Sequence, residues 1–312
     1  MIDIDFEKYR KAIEKTNPFN TYGKVSGVVG LLVEGRSPET SIGEMCRLYS
    51  EDGDKTIFAE VVGFRKEGVL LMPFGGLDGV GPGCRILSTG KKSNVPVGPS
   101  LLGRVIDGRG NPIDDGGPIE TECEYPIYAD PINPMKRSRI TESMDLGVRT
   151  VNGLFSCGKG QRMGVFSGSG VGKSMLLGMI ARNTKADVNV IGLIGERGRE
   201  VREFIENNLG SGGLERSVVV AATSDMHPLV RMRAAYVATA IAEYFRDRKM
   251  DVLLMIDSLT RFAMAQREVG LSVGEPPTTK GYTPSVFSLM PKLLERAGSV
   301  EDSGSITGIH AV

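Results

Sequence analysis

Residues 164–180 constrain the fold more than any other stretch. The apolar run Gly164-Val165-Phe166 enters the turn Ser167-Gly168-Ser169-Gly170-Val171-Gly172, and Lys173-Ser174 opens the helix-forming Met175-Leu176-Leu177-Gly178-Met179-Ile180. Strand, glycine-rich turn and helix in that order form a phosphate-binding loop. Glycines let consecutive backbone N–H groups converge on phosphate oxygens. The helix that follows aims the positive end of its dipole at the same place. In this pattern Lys173 reaches the β and γ phosphates and the Ser174 hydroxyl ligates Mg²⁺. The strict pattern begins with glycine, and Ser167 stands there instead; Gly168 and Gly170 supply the freedom that makes serine tolerable. A glycine-rich turn of an ordinary α/β domain would share the composition, so the loop needs partners elsewhere in the chain.

Those partners lie in an alternating pattern that begins near residue 150. Strands are expected at 163–166, 188–194, 217–221, 252–256 and 305–311, and helices at 173–184, 199–208, 228–247, 259–268 and 285–297. The alternation predicts a parallel sheet covered by helices on both faces, an α/β fold. Residues 21–93 differ. Short strand-like runs, among them 25–33, 45–49, 56–64, 69–73 and 85–88, are separated by turns such as Asp52-Gly53 and Gly81-Pro82-Gly83. That spacing predicts a small β-barrel. Residues 94–118 are rich in proline and glycine and read as a linker leading into the nucleotide-binding part, 94–312. Residues 4–15 read as a short amphipathic helix within an N-terminal helical segment, 1–20, with Phe6, Tyr9 and Ile13 on one side.

Bulk composition excludes several classes. The 312 residues suffice for two domains. Thirty-eight basic residues balance thirty-eight acidic ones, so no net field draws the chain to nucleic acid. Cys46, Cys84, Cys123 and Cys157 lie far apart with no Cys-x-x-Cys pair, which argues against zinc and for reduced cytosolic thiols. The N-terminus has no signal-peptide layout, and no run is long enough to span a membrane.

A nucleotide hydrolase also needs a carboxylate for the magnesium shell, a group to orient water and a cation for transition-state charge. Val252-Leu253-Leu254-Met255-Ile256 ends in Asp257, an apolar strand delivering an acid to the carboxyl edge of a parallel sheet, where ligands bind. Asp257 could instead cap the helix that follows. The strand ending at Ile194 delivers Glu196 to the same edge, where a carboxylate can polarise the attacking water; its plainer role is to face a helix dipole. Arg197 could hold phosphate or a neighbouring acid. No arginine has a clear claim to the third role. His227 and His310 read as structural. Lys136-Arg137-Ser138-Arg139, without interleaved aromatics, reads as a solvated loop. Thr260, Arg261, Met264 and Gln266 are candidates for a subunit boundary.

These segments resemble the rotary-ATPase-like export ATPases, nearest the flagellum-specific members of type III secretion. The resemblance rests on Pro96–Gly108, on Gly195-Glu196-Arg197-Gly198-Arg199-Glu200, on Asp257-Ser258-Leu259-Thr260-Arg261-Phe262-Ala263 and on the run from Gly274 to Phe287. Thr278-Thr279-Lys280 with Thr283 look flagellar rather than virulence-type. The resemblance implies a β-barrel, a RecA-like P-loop domain and a C-terminal helical domain, in a homohexamer with ATP at subunit boundaries. It implies that Ser167, Gly168, Ser169, Gly170, Val171, Gly172, Lys173 and Ser174 bind nucleotide, that Ser174 and Asp257 serve Mg²⁺, and that Glu196, Lys173 and Arg197 are catalytic. It further implies a stator-like regulator, a stalk-like protein, chaperone–substrate complexes and a membrane export gate as partners. The expected place is the cytoplasm, peripheral at the inner face of the cytoplasmic membrane. Family members continue well past the position of Val312, so the chain is expected to be a truncated form that lacks the arginine finger, much of the adenine pocket and the helical domain. An apolar sheet edge is expected where it stops.

Three other readings compete. An RNA-translocating hexamer would carry stacking aromatics and a basic stripe in its N-terminal fold; residues 21–93 contain few aromatics and no basic stripe. A catalytic subunit of an ATP synthase shares the chemistry, but the segment Glu275-Pro276-Pro277-Thr278-Thr279-Lys280 argues against it. A nucleotide-binding assembly module without turnover is the third.

Overall fold

Six antiparallel strands roll up first. They are β1 (Tyr22–Val29), β2 (Leu32–Arg36), β3 (Glu44–Tyr49), β4 (Thr56–Arg65), β5 (Gly68–Pro73) and β6 (Arg85–Lys92), closed in the order β1-β2-β5-β4-β3-β6. The computed structural model describes residues 6, 7, 9, 10 and 21–312, apart from 38, 39, 67 and 169. The expected helix over 4–15 therefore lies largely outside the described residues, as does Ser169. Inward side chains alternate along the strands, and Val25, Val33, Cys46, Leu48, Val61, Leu71 and Ile86 fill the barrel. Each such buried aliphatic side chain contributes about 1.5–3 kcal/mol. Burial also pushes the Cys46 thiol up to about 12, which leaves it inert.

The chain divides into two compact units, Met1–Lys91 and Lys92–Val312. The second opens with β7 (Asn94–Val97), β8 (Val105–Asp107) and β9 (Cys123–Pro126); β7 and β9 pair with each other. A small ladder of β10 (Ser143–Met144) and β11 (Cys157–Gly158) encloses α1 (Arg149–Leu154). Then come β12 (Arg162–Val165), α2 (Lys173–Asn183), β13 (Val188–Ile194), α3 (Gly198–Glu203), α4 (Gly210–Leu214) and β14 (Ser217–Ala222). The unit finishes with α5 (Pro228–Asp247), β15 (Asp251–Asp257), α6 (Leu259–Val273), α7 (Pro284–Leu294), β16 (Gly298–Ser299) and β17 (Ser305–Ala311). The parallel sheet runs β12-β17-β15-β13-β14-β8, with β16 antiparallel beside β17.

Helices cover both faces, as the largely apolar, fully buried strands β13, β14 and β15 require. Leu177 and Ile180 of α2 pack with Ile191, Leu193, Leu253 and Met255 on one face. On the other, Gly192 leaves room for Ala238 of α5, which is buried along most of its length. Pro228 starts α5 at a position where its missing N–H costs nothing.

Three expectations need correction. The stretch 94–118 is no linker: β8 pairs with β14, and Gly103 N–H donates to the Ser217 carbonyl at 2.9 Å. The strand that ends the chain is not an edge. β17 lies between β12 and β15 with every residue buried, and the half-exposed edge is β12. The helix expected over 199–208 holds α-geometry only to Glu203 and continues as a π-turn through Phe204–Leu209.

Candidate functional site

Three strand ends build the site. β12 leads into the glycine-rich turn, β13 into Gly195-Glu196, and β15 ends at Asp257. Leu193 lies opposite Asp257 in the ladder, so Glu196 projects beyond the sheet at the same edge. In the turn, Gly170 and Gly172 take φ of 78° and 94°, a region that residues with a Cβ rarely adopt. A Cβ placed on Gly168, Gly170 or Gly172 would meet nothing within 4 Å. The loop backbone thus borders open space in front of α2, the shape a phosphate chain requires. Ser167 has no left-handed backbone; among the described non-glycine residues only Lys66, Lys249, Lys280 and Asp302 have positive φ. Serine there is sterically unremarkable.

Lys173 Nζ lies 2.6 Å from Asp257 Oδ1. The Asp257 side chain is 3% exposed, so the ammonium supplies the charge that makes a buried carboxylate tolerable. The capping role falls to the next residue: Ser258 Oγ accepts from the Arg261 N–H at 3.4 Å. Ser174 is exposed in the first turn of α2. A buried carboxylate whose Oδ1 faces Lys173 without a hydrogen bond, an exposed hydroxyl and a bare glycine cradle fit a magnesium nucleotide. Ser174 and Asp257 would hold the metal and the turn with Lys173 the phosphates. When bound, the metal supplies charge neutralisation across phosphate oxygens.

Glu196 is half-buried, and its carboxyl is pushed up to about 7. Desolvation is the largest cause, followed by a hydrogen bond with Glu200 and the negative charge of Asp257, while Lys173 opposes them. Glu200 moves the opposite way, held low by that same hydrogen bond and by the Arg197 backbone N–H, 3.4 Å from Glu200 Oε2. Glu200 carried no role in the sequence reading. An i, i+4 acid pair at a helix start is a faint signal, since it reads equally as two solvated carboxylates. Arg197 is exposed, and its nearest acid is Glu200, at 3.7 Å.

The remaining candidates separate. Thr260 and Arg261 are exposed, but Gln266 is buried, with Nε2 donating to Ser285 Oγ at 3.0 Å, so it belongs to packing and not to a boundary. Arg261 also packs over Gly195, where a Cβ would meet its Cβ at 2.9 Å. His310 is buried, and burial lowers its imidazole to about 4. The loop reading of 136–139 holds only in part. Arg137 donates to the Ala297 carbonyl at 3.0 Å and pairs with Glu295 at 2.7 Å, fastening the end of α7.

Residues 147–312 match the nucleotide-binding domain of the ATP synthase alpha/beta family, and residues 25–90 match that family's beta-barrel domain. The chain belongs to the ATP synthase alpha/beta family. Within it the chain is an ATPase of the flagellar and type III secretion kind. It is 54% identical over 307 residues to the flagellum-specific ATP synthase of Bacillus subtilis, covering 96% of this chain and 68% of that protein. It is 57% identical over 291 residues to the type 3 secretion system ATPase of Xanthomonas euvesicatoria, covering 93% and 66%. The assembled ATPase EscN of the enteropathogenic E. coli type III secretion system superposes with a TM-score of 0.86 at 46% identity, over 93% of this chain and 69% of that one. A second EscN structure, in complex with its central stalk EscO, matches equally well. The chain thus spans about two thirds of the length of these relatives. Among the described residues no helix is long and apolar enough to cross a membrane.

Proposed function

We propose that this family member binds MgATP at the turn 167–174 and hydrolyses it at the boundaries of a homohexameric ring, driving export of flagellar proteins through a type III apparatus. Lys173 and the loop amides hold the phosphates, Ser174 and Asp257 hold magnesium, and Glu196 takes the proton of the attacking water. Arg197, beside it, keeps Glu200 ionised and in place. The observation that carries this reading is the convergence of Lys173, Asp257 and the raised carboxyl of Glu196 at one sheet edge. Ring assembly and a stalk-like partner follow the EscN structures, which are described as assembled and as bound to a stalk. A stator-like regulator, chaperone–substrate complexes and a membrane export gate complete the proposed set of partners. They place the protein in the cytoplasm at the inner face of the membrane.

ATP turnover measured against protein concentration, with Glu196→Gln as control, tests the reading. A rate that climbs more steeply than linearly and disappears in the variant supports hydrolysis at subunit boundaries. Nucleotide binding without turnover at any concentration would instead favour the assembly-module reading.

A further inference from the structure

The opposite edge of the same sheet carries a second polar site. Asp251 and Ser305 begin β15 and β17, so this edge lies about 20 Å from Asp257, six residues along β15 at about 3.3 Å each. A hollow of about 290 Å³ opens there, lined among others by Ser138, Arg139, Thr141, Lys159, Lys249 and Asp251. Its two acids share one lysine. Lys159 Nζ lies 2.8 Å from both Glu142 Oε2 and Asp251 Oδ2, and the Ser305 hydroxyl donates to Asp251 Oδ1 at 2.6 Å.

The remaining donors face solvent. Among the described residues the side chains of Ser138, Arg139, Thr141 and Lys249 have no hydrogen-bond or ion-pair partner. Arg139 and Lys249 bring the lining to three cations against two acids, one positive charge in excess, in a hollow that also offers two exposed hydroxyls. Lys249 holds φ of 65° just past the end of α5, where glycine or asparagine is the low-strain choice. A long cation stands where the backbone favours a residue without one.

We propose that this hollow binds the phosphate oxyanion of a small ligand, with Arg139 and Lys249 as the charge partners and Ser138 and Thr141 as neutral donors. Arginine, lysine and hydroxyl groups together are the usual set for a tetrahedral oxyanion. The site is separate from the turn 167–174 and does not depend on the function proposed above.

Two sources present that group, a soluble phosphorylated metabolite and a phospholipid headgroup. The test uses the full chain as it stands and, beside it, the Lys173→Ala variant, which removes the main phosphate contact at the other edge. Calorimetric titration with sn-glycerol 3-phosphate probes the first source, and phosphatidylglycerol against phosphatidylcholine vesicles the second. Arg139→Ala with Lys249→Gly removes both cations, and glycine at 249 relieves the left-handed backbone, so lost binding would not reflect lost folding. Saturable binding of either probe that weakens tenfold or more in the double variant is expected. No saturable binding of either probe, or binding that the double variant leaves within twofold, would overturn the proposal.

Discussion

Lys173 and Asp257 are locked together at 2.6 Å, the first group of α2 against the last of β15. Lys173 and Asp257 thus hold each other, and to serve a magnesium nucleotide Lys173 would have to leave Asp257 for phosphate, with Asp257 then free to help hold the metal. Lys173→Ala leaves a buried acid uncompensated. We expect it to weaken MgATP binding at least a hundredfold and to destabilise the fold by about 2–3 kcal/mol, below the range for fully buried pairs because the lysine is partly exposed. Calorimetric binding and urea unfolding measure the two effects, and unchanged ATP affinity would refute the assignment.

Glu196→Gln is nearly isosteric and keeps the Glu200 contact available. The expected outcome is nucleotide affinity within a fewfold of the parent, with turnover lowered about 10²–10⁴-fold. Steady-state phosphate release beside equilibrium binding separates the two. Parallel losses of both would mean that Glu196 holds the site together and does not act on water.

The raised Glu196 carboxyl gives a pH signature. A base works ionised, so turnover should rise through about pH 7 and level off above it. Glu200→Gln removes a charge that raises Glu196 and puts a neutral amide in place of its ionised acceptor, so the midpoint should move to lower pH. For stability the sign is opposite. A carboxyl whose folded value lies above its ordinary 4.5 contributes fully below that value and loses the contribution as pH rises through about 7. A pH–rate midpoint that stays put in Glu200→Gln would rule out the coupling.

Gly195→Ala tests the turn that delivers Glu196. The backbone there has φ of 69°, and the added methyl would lie 2.9 Å from Arg261 Cβ. A loss of roughly 1–3 kcal/mol is expected, seen as a lower Tm, together with reduced turnover because the neighbouring acid shifts. A Tm within one degree of the parent would contradict it.

Arg296 and Glu243 form a buried bidentate pair, Nε to Oε1 at 2.8 Å and Nη2 to Oε2 at 2.6 Å, and Arg296 also donates to the Ile127 carbonyl. Arg296→Ala should cost about 3–5 kcal/mol by stranding the acid. Replacing both residues with apolar ones should recover much of that loss. Denaturant melts of the single and double variants decide between these outcomes.

The sequence revealed most where one physical signal dominates. The apolar runs of β13 and β15, short and closed off by turn residues, read as strands buried on both faces, and Pro228 marks the start of α5 by its lack of an N–H. The turn at 167–174 is legible because phosphate binding demands glycines ahead of Lys-Ser. β8 is hidden because three residues, Val105-Ile106-Asp107, carry no periodicity, and the glycines around them look like linker. The π-turn at 204–209 has no composition of its own. Glu200 was missed for a different reason: partnership between two acids depends on a shared proton, and residue type alone cannot show that. Gln266 follows a motif at a site-bearing strand, yet its helical position turns it inward.

The strand at Val105–Asp107 changes how the gene should be divided. A nucleotide-domain clone begun after the proline- and glycine-rich stretch, near residue 118, would amputate the outermost strand and leave β14 with a bare row of amides. Its product would tend to recruit foreign strands and precipitate. A clone begun at Lys92 would carry its own edge strand and the β7–β9 ladder with it.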